Sequence, residues 1–363
     1  MQTTLVDRDQ WIGARLADLD TPAPVTDLDI MEANIARQQE TCNRLGLRFR
    51  PHIKTHKIPA IAAKQREAGA RGITTQKTTE ARVFVDTGFD DVIVAVPPVG
   101  VHKTARLRDL AEAATIYAVV DSAVAACGIA EAATERGGTL NLLIEVDSGT
   151  GRAGTQTAEE TLALAQLIGE LPGVALSGLF WYPSRETAFP RIAAAREAME
   201  RAGIPIRMLS GGGTGADAIS AQMGATEHRS GTYVFNDMML IKRGIATLEQ
   251  CAVSVLVTVV SAAVPGSVTI DGGLKTFTND FPPTGDEGIG HVLDRPGLKL
   301  VRMSEEHGVL NVADGATRPA VGDKLRIIPN HVCGCINMHP VLYGMRDGVV
   351  EAVWPVAARG TVQ

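Results

Sequence analysis

The sequence predicts a (β/α)8 barrel of the TIM type followed by an all-β domain. Between about residues 47 and 234, short β-branched runs alternate with Ala-rich amphipathic stretches, the pattern of βα units around a parallel sheet. Eight such units can be counted, the number a closed barrel needs. After about Leu248 the texture changes to β-rich segments punctuated by Pro and Gly, which reads as a separate domain.

In chain order, an extended segment at 23–29 precedes the first barrel unit and is placed to pair with the second domain. Candidate strands begin near Leu47, Gly72, Asp91, Thr115, Leu140, Ala175, Ile206 and Ala225. The spacing of apolar residues predicts helices over 31–45, 59–68, 79–87, 122–136, 158–171 and 190–202. Beyond them SVTIDGG, KLVRM, KLRIIP and VEAVWPVAARG read as strands and turns. The expected division is a barrel over 30–247 and a β-rich domain built from 1–29 plus 248–363. An open doubly wound sheet fits the same alternation.

The 363 residues are 45% hydrophobic and 21% charged, an ordinary globular composition that needs no staples. A formal charge of −6, with no long Lys/Arg run, argues against nucleic acid and anionic membrane surfaces as partners. The opening MQTTLVDRDQ carries acids where a secretory signal requires a basic start and an apolar core, so the expected location is cytoplasmic. The longest apolar run, 251–264, is too short for a bilayer and reads as buried strand. Five scattered cysteines suggest free thiols and a metal ligand rather than disulfides.

Three segments carry candidate chemistry. FRPHIKTHK follows the first strand, at the barrel rim where such folds keep their active sites. Extended geometry would put Arg50, His52, Lys54 and His56 on one face and Lys57 on the other. A lysine held beside other cations in a semi-buried pocket is a usable amine nucleophile for an imine, although solvated loop-end charges have the same composition. The run Ser210-Gly211-Gly212-Gly213-Thr214-Gly215 follows the seventh strand and Gly231-Thr232-Tyr233 the eighth, where barrels bind phosphate through converging N–H groups. A flexible turn would look alike. Finally IIPNHVCGCINMH, if extended, sets His331, Cys333 and Cys335 on one face; imidazole plus thiolate suits zinc, with manganese or cobalt less natural. Two inert thiols beside a buried histidine is the competing account. Softer candidates are the turn EVDSGTGR at the fifth strand, Glu305-Glu306-His307 as a source of a general base, and Tyr182 at the end of the sixth strand.

Taken together, DTPAPVTDLDIMEANIA, RPHIKTHK, GITTQKTTEA, EVDSGTGRAG, SGGGTG, GTYVFND, DGGLKT, SEEHG, PNHVC and WPVAARG form an ordered series across most of the chain. The series resembles the D-threonine aldolase and D-serine dehydratase family of alanine racemase-like, fold-type III pyridoxal-phosphate enzymes. The resemblance implies pyridoxal 5′-phosphate held covalently on Lys54 and a divalent metal, zinc or manganese, on His331 and Cys333. Cofactor contacts are implied at Gln76, Arg152, Tyr182, Gly212, Gly213, Thr214, Gly231, Thr232 and Tyr233, with His52 and Tyr182 beside the reacting atoms. A homodimer and a D-β-hydroxy-amino acid substrate, its β-hydroxyl on the metal, are implied likewise.

Two reactions share this machinery. SGGGTG, DGGLKT and SEEHG look closer to aldolases, which split Cα–Cβ to give glycine and an aldehyde. The H-x-C pair looks like D-serine and D-threo-3-hydroxyaspartate dehydratases, which eliminate water and release ammonia and a 2-oxo acid. Aldolase is placed narrowly ahead. The YPS at 182–184 departs from the Tyr-His pair of aldolases, which makes His307 the substitute candidate for the proton-transfer group. A non-catalytic pyridoxal-phosphate carrier shares the barrel and lysine but lacks a second domain, and a racemase or decarboxylase would have no use for a metal.

Overall fold

The computed structural model describes residues 9–280, 288–293 and 295–363. The first eight residues of the 1–29 segment therefore lie outside the described residues. Two compact units emerge. One comprises residues 36–54, 59–231 and 360–363; the other comprises the described residues within 9–35, 55–58 and 232–359.

The chain enters through β1 (Ala23–Asp27) and the helix Leu28–Arg44, which ends at Gly46 with φ +69°. A left-handed residue of this kind costs glycine nothing and stops the helix. The barrel strands follow as β2 (Arg48–Phe49), β3 (Ile73–Thr75), β4 (Asp91–Val94), β5 (Thr115–Val120), β6 (Leu140–Glu145), β7 (Val174–Phe180), β8 (Met208–Gly212) and β9 (Glu227–Arg229). All eight pair in parallel, in the order β2-β9-β8-β7-β6-β5-β4-β3. The edges meet through a parallel bridge between His52 and Thr74 and through Thr74 N–H to Pro51 O at 2.8 Å, which closes the barrel. Strand starts fall within two residues of those expected from sequence. The interior is apolar on the β4, β5 and β6 side, where Ile93, Val119, Leu143 and Phe180 pack together. On the other side it is charged: Arg50, 1% exposed, pairs with Glu227 at 3.1 Å and with Asp91 at 2.5 Å. Arg50 stays charged there, because the two carboxylates more than offset the desolvation.

The other unit contains β10 (Val253–Ser261), β11 (Ser267–Ile270), β12 (His291–Val292), β13 (Leu298–Met303), β14 (Gly308–Val312), β15 (Lys324–Ile328), β16 (Val341–Arg346) and β17 (Val349–Pro355). Its strands form one sheet around β10, with β1 inserted antiparallel to β10 and parallel to β16. Alternation along β10 buries Val255, Val257 and Val259 in one core with Ile270, Leu300, Leu310 and Ile327. Period-two patterning with one buried face explains why these strands were visible in the sequence. Among the described residues no helix is long and apolar enough to cross a membrane.

Two local expectations fail. The alternation past Arg50 does not persist, because Ile53–Thr55 is a 3-10 turn rather than strand. His56 is therefore not on the Lys54 face; it is buried edge-on to Phe235 at 6.4 Å, its Nδ1 accepting Ile58 N–H at 3.0 Å. Likewise Val332–Met338 is helical, with His331 at its N-cap. Helical spacing turns Cys335 away from Cys333, into the core, where its thiol donates to Thr276 O at 3.2 Å.

Candidate active site

Lys54 lies one turn beyond the mouth end of β2, in a small cavity of about 20 Å³ lined by His52, Lys54, Gln76, Ala95, Arg152, Phe180, Tyr182 and Arg229. The strands after which these residues fall (β2, β3, β4, β6, β7 and β9) deliver them to the same rim of the barrel. Lys54 Nζ stands 5.8 Å from the Tyr182 ring centroid and the Arg152 guanidinium 5.2 Å from it, so one aromatic ring packs two cations. Arg152 reaches back to Glu145 at 3.4 Å. Burial raises the Glu145 carboxyl against the opposing pull of Arg152 and Arg229. His52 Nε2 donates to Gln76 Oε1 at 3.0 Å, and its Nδ1 accepts the Lys54 backbone N–H at 3.5 Å. Both nitrogens are thus occupied in holding the turn that carries Lys54.

The floor of the cavity was not anticipated. Arg229, 2% exposed, stacks on Phe180 at 3.5 Å and donates to Ser210 Oγ at 2.7 Å and Trp181 O at 2.7 Å. Ser210 Oγ in turn donates to Glu227. Desolvation pushes the Arg229 guanidinium down to about 9, against the neighbouring Glu227 and Glu145. The clue in the sequence was the alternation Glu227, His228, Arg229, which turns Glu227 and Arg229 to the same side of the last strand.

The glycine run lies at the end of β8. Its first amides are already engaged: Gly212 N–H donates to Ser184 Oγ at 3.1 Å and Gly213 N–H to Arg229 O at 2.8 Å. A Cβ at Gly212 would stand 2.7 Å from Arg229 O, so only glycine fits. Gly213 has φ +125° and would carry a Cβ 3.4 Å from Pro183. Thr214 and Gly215 follow in the turn, and Gly231 follows β9. One residue before Gly231, the buried Ser230 hydroxyl has no hydrogen-bond partner among the described residues.

The second cluster lies in the other unit. His331 Nδ1 is 3.1 Å from Asp237 Oδ2, and Asp237, fully buried, also accepts Val332 N–H at 3.1 Å and Leu240 N–H at 3.0 Å. Asp237 therefore ties the imidazole to two helix N-termini at once. The Asp237 hydrogen bond, followed by that to Cys333, raises the His331 imidazole to about 11. Burial opposes ionisation of Cys333, but the His331 contact and the hydroxyls of Thr55 and Thr232 outweigh it and hold the thiol below its ordinary value. Those hydroxyls lie 3.2 Å and 3.6 Å from Sγ. Thr232 and Tyr233 open the 3-10 turn Thr232–Val234, in which Tyr233 is buried. Among the described residues no group of three or more His, Cys, Asp or Glu side chains is gathered so as to hold a metal, so the donor set is this pair. His307 is exposed in the turn between β13 and β14 and belongs to neither cluster; that turn is tied by backbone hydrogen bonds to the helix Leu274–Phe277.

Comparison with known proteins places these features. Residues 26–238 match the profile of the alanine racemase N-terminal domain, and residues 252–345 match a putative serine dehydratase domain. The chain is 37% identical to a D-threonine aldolase from Arthrobacter sp., over 96% of this chain and 95% of that one. It is 35% identical to a D-threo-3-hydroxyaspartate dehydratase from Delftia sp. (strain HT23), over 93% and 97%. Among solved structures, the D-threonine aldolase from Filomicrobium marinum superposes with a TM-score of 0.87 at 32% identity, over 97% of this chain and 99% of that one. The Delftia dehydratase superposes at 0.85 and 33%, over 94% and 98%, and a mutant of a D-threo-3-hydroxyaspartate dehydratase has been solved in a metal-free form.

Proposed function

This chain belongs to the D-threonine aldolase and D-serine dehydratase family of alanine racemase-like lyases, and we propose that it cleaves a D-β-hydroxy-α-amino acid between Cα and Cβ, yielding glycine and an aldehyde. The observation that carries this reading is the placement of the Lys54 amine in a half-open cavity at the barrel rim, against Tyr182 and lined also by Arg152, Gln76 and Arg229.

The residues present fit pyridoxal 5′-phosphate. An aldehyde needs an accessible amine, which Lys54 provides; an aromatic heterocycle needs a flat neighbour and polar edges, which Tyr182, Arg152 and Arg229 provide. A phosphate needs a loop without side chains and unsatisfied donors. Gly212, Gly213 and Gly231 supply the first, with the Thr214 hydroxyl beside them, and the orphaned Ser230 hydroxyl is a donor of the second kind. A divalent metal fits His331 and Cys333: the Asp237-oriented imidazole is the usual support of a metal-bound histidine, and a readily ionised thiol favours zinc over manganese. When bound, the cofactor ring supplies an electron sink and the metal a Lewis acid toward the substrate β-hydroxyl.

The chain's own residues divide the remaining work. Lys54 Nζ would hold the cofactor through its aldehyde, and its amine is placed to take or return a proton within the cavity. His52 and Gln76 hold the Lys54 turn rather than moving protons, since both imidazole nitrogens are engaged. Tyr182 and Phe180 form the aromatic walls of the cavity. Thr55 and Thr232 steady the Cys333 sulfur. A homodimer completes the reading by family analogy.

β-Elimination is the second reading, favoured by the sulfur at Cys333. Purified protein given D-threonine with added zinc or manganese decides the matter: acetaldehyde plus glycine is the expected product pair, whereas 2-oxobutyrate plus ammonia would replace aldolase by dehydratase. Reconstitution should also give a visible absorption band that borohydride fixes to the Lys54 peptide by mass and that Lys54→Ala lacks. A colourless wild-type protein would sink the assignment.

A further inference from the structure

Behind the glycine run lies a buried polar chain that the reaction does not use. Ser184 Oγ accepts two N–H groups, Trp181 Nε1 at 2.9 Å and Gly212 N at 3.1 Å, while Ser184 N–H donates to Gly212 O at 2.7 Å. With its lone pairs so engaged, the Ser184 hydroxyl hydrogen points to Ser220 Oγ at 2.7 Å. Ser220 must then donate to His228 Nδ1 at 2.8 Å, which puts the imidazole hydrogen on Nε2; Asp217 Oδ1 lies 3.2 Å from that nitrogen, outside hydrogen-bond geometry. Asp217 is held in turn by Gln38. From Trp181 and Gly212 through Ser184 and Ser220 to His228 Nδ1 every hydrogen has one direction, and Trp181, Ser184, Ser220 and His228 are all buried.

Although Ser220, His228 and Asp217 have the order of a hydrolase triad, no substrate reaches a serine enclosed in this way. Space for the series exists only because residue 211 is glycine: a Cβ there would stand 2.8 Å from Ser184 Oγ and 2.9 Å from Ser220 Oγ. Burial keeps His228 neutral at ordinary pH, which the Ser220 donation requires.

We propose that Ser184 is a positioning residue for the cofactor phosphate: the Ser220 and His228 pair locks its hydroxyl as a double acceptor, and the paired bonds to Gly212 fix the path of the Gly212-Gly213-Thr214-Gly215 loop. This rests on the pyridoxal-phosphate reading of the site. A general structural role would weaken every ligand of the cavity, whereas a loop-setting role weakens only those bearing phosphate.

The test is a pair of absorbance titrations, with pyridoxal 5′-phosphate and with pyridoxal, on wild type, Ser184→Ala, Ser220→Ala, His228→Asn and His228→Leu. Expected are a loss of about tenfold in phosphate-ligand affinity for Ser184→Ala, Ser220→Ala and His228→Leu, the worth of one hydrogen bond, pyridoxal affinity unchanged within about twofold, and recovery in His228→Asn, whose Oδ1 replaces the Nδ1 acceptor. Equal losses for both ligands, or no loss in variants with wild-type melting curves, would overturn the proposal while leaving the Lys54 reading intact. Should Ser184→Ala not fold, the Ser220 and His228 variants carry the comparison. A wild-type protein that takes up neither ligand removes both readings together.

Discussion

Asp237 shows how one carboxylate can be worth more than its own charge. It is fully buried yet accepts from two backbone amides and one imidazole, so its desolvation is offset by hydrogen bonds on every side. Removing the charge but not the shape separates its two tasks. Asp237→Asn should keep the helix cap and weaken the zinc binding proposed for His331 and Cys333 by about 10-fold or more, read by competition with a chromophoric chelator. Unchanged affinity would mean that the imidazole needs no orienting partner. Arg229 makes a complementary case: a cation driven into the barrel floor is tolerated because Ser210, Trp181 and the Phe180 face replace its water.

Among the elements, β7 is the most constrained. Its pairing with β6 slips by one residue between Leu142 and Leu143, a bulge that brings Gly178 opposite Met208 with φ +152°. A Cβ on Gly178 would lie 1.8 Å from Met208 O, a backbone atom that cannot step aside. Gly178→Ala should therefore cost about 2–4 kcal/mol, measurable as a lowered urea midpoint. A variant melting like wild type would show that the strand can re-register. The bulge also aims Phe180 and Tyr182 at the cavity, so its loss should reduce cofactor uptake beyond the loss of stability.

Across the whole molecule, each unit buries a neutral histidine. His228 in the barrel and His339 in the β unit are pushed down to about 4, chiefly by desolvation. In the unfolded chain they titrate near 6.5. Above that value both states bind the same protons and stability is indifferent to these groups. As pH falls from about 6.5 toward 4 only the unfolded chain gains protons, so stability drops by up to about 1.4 kcal/mol per pH unit for each histidine. Comparing urea midpoints at pH 7 and pH 5 should show His339→Gln losing less than wild type; equal losses would assign the acid sensitivity to other groups.

What the sequence determined alone is the periodic part of the protein. Strand starts at 48, 73, 91, 115, 140, 174, 208 and 227 were legible because each buried run is bounded by its own turn signals, and Lys54, Tyr182 and the glycine run followed from their places after those strands. The helix Val101–Ala111 escaped because its apolar spacing is broken by His102, Lys103, Arg106 and Arg108. Only the tertiary structure decided the rest. The turn at Ile53–Thr55 parted His56 from Lys54, the helix at Val332–Met338 parted Cys335 from Cys333, and Arg229, Asp237 and Ser184 acquired partners up to 95 residues away in the chain. Local propensity fixes the period of an element, but which buried polar atoms meet depends on closure of the barrel and the sheet, where each unpaired donor or acceptor must find a partner or cost free energy.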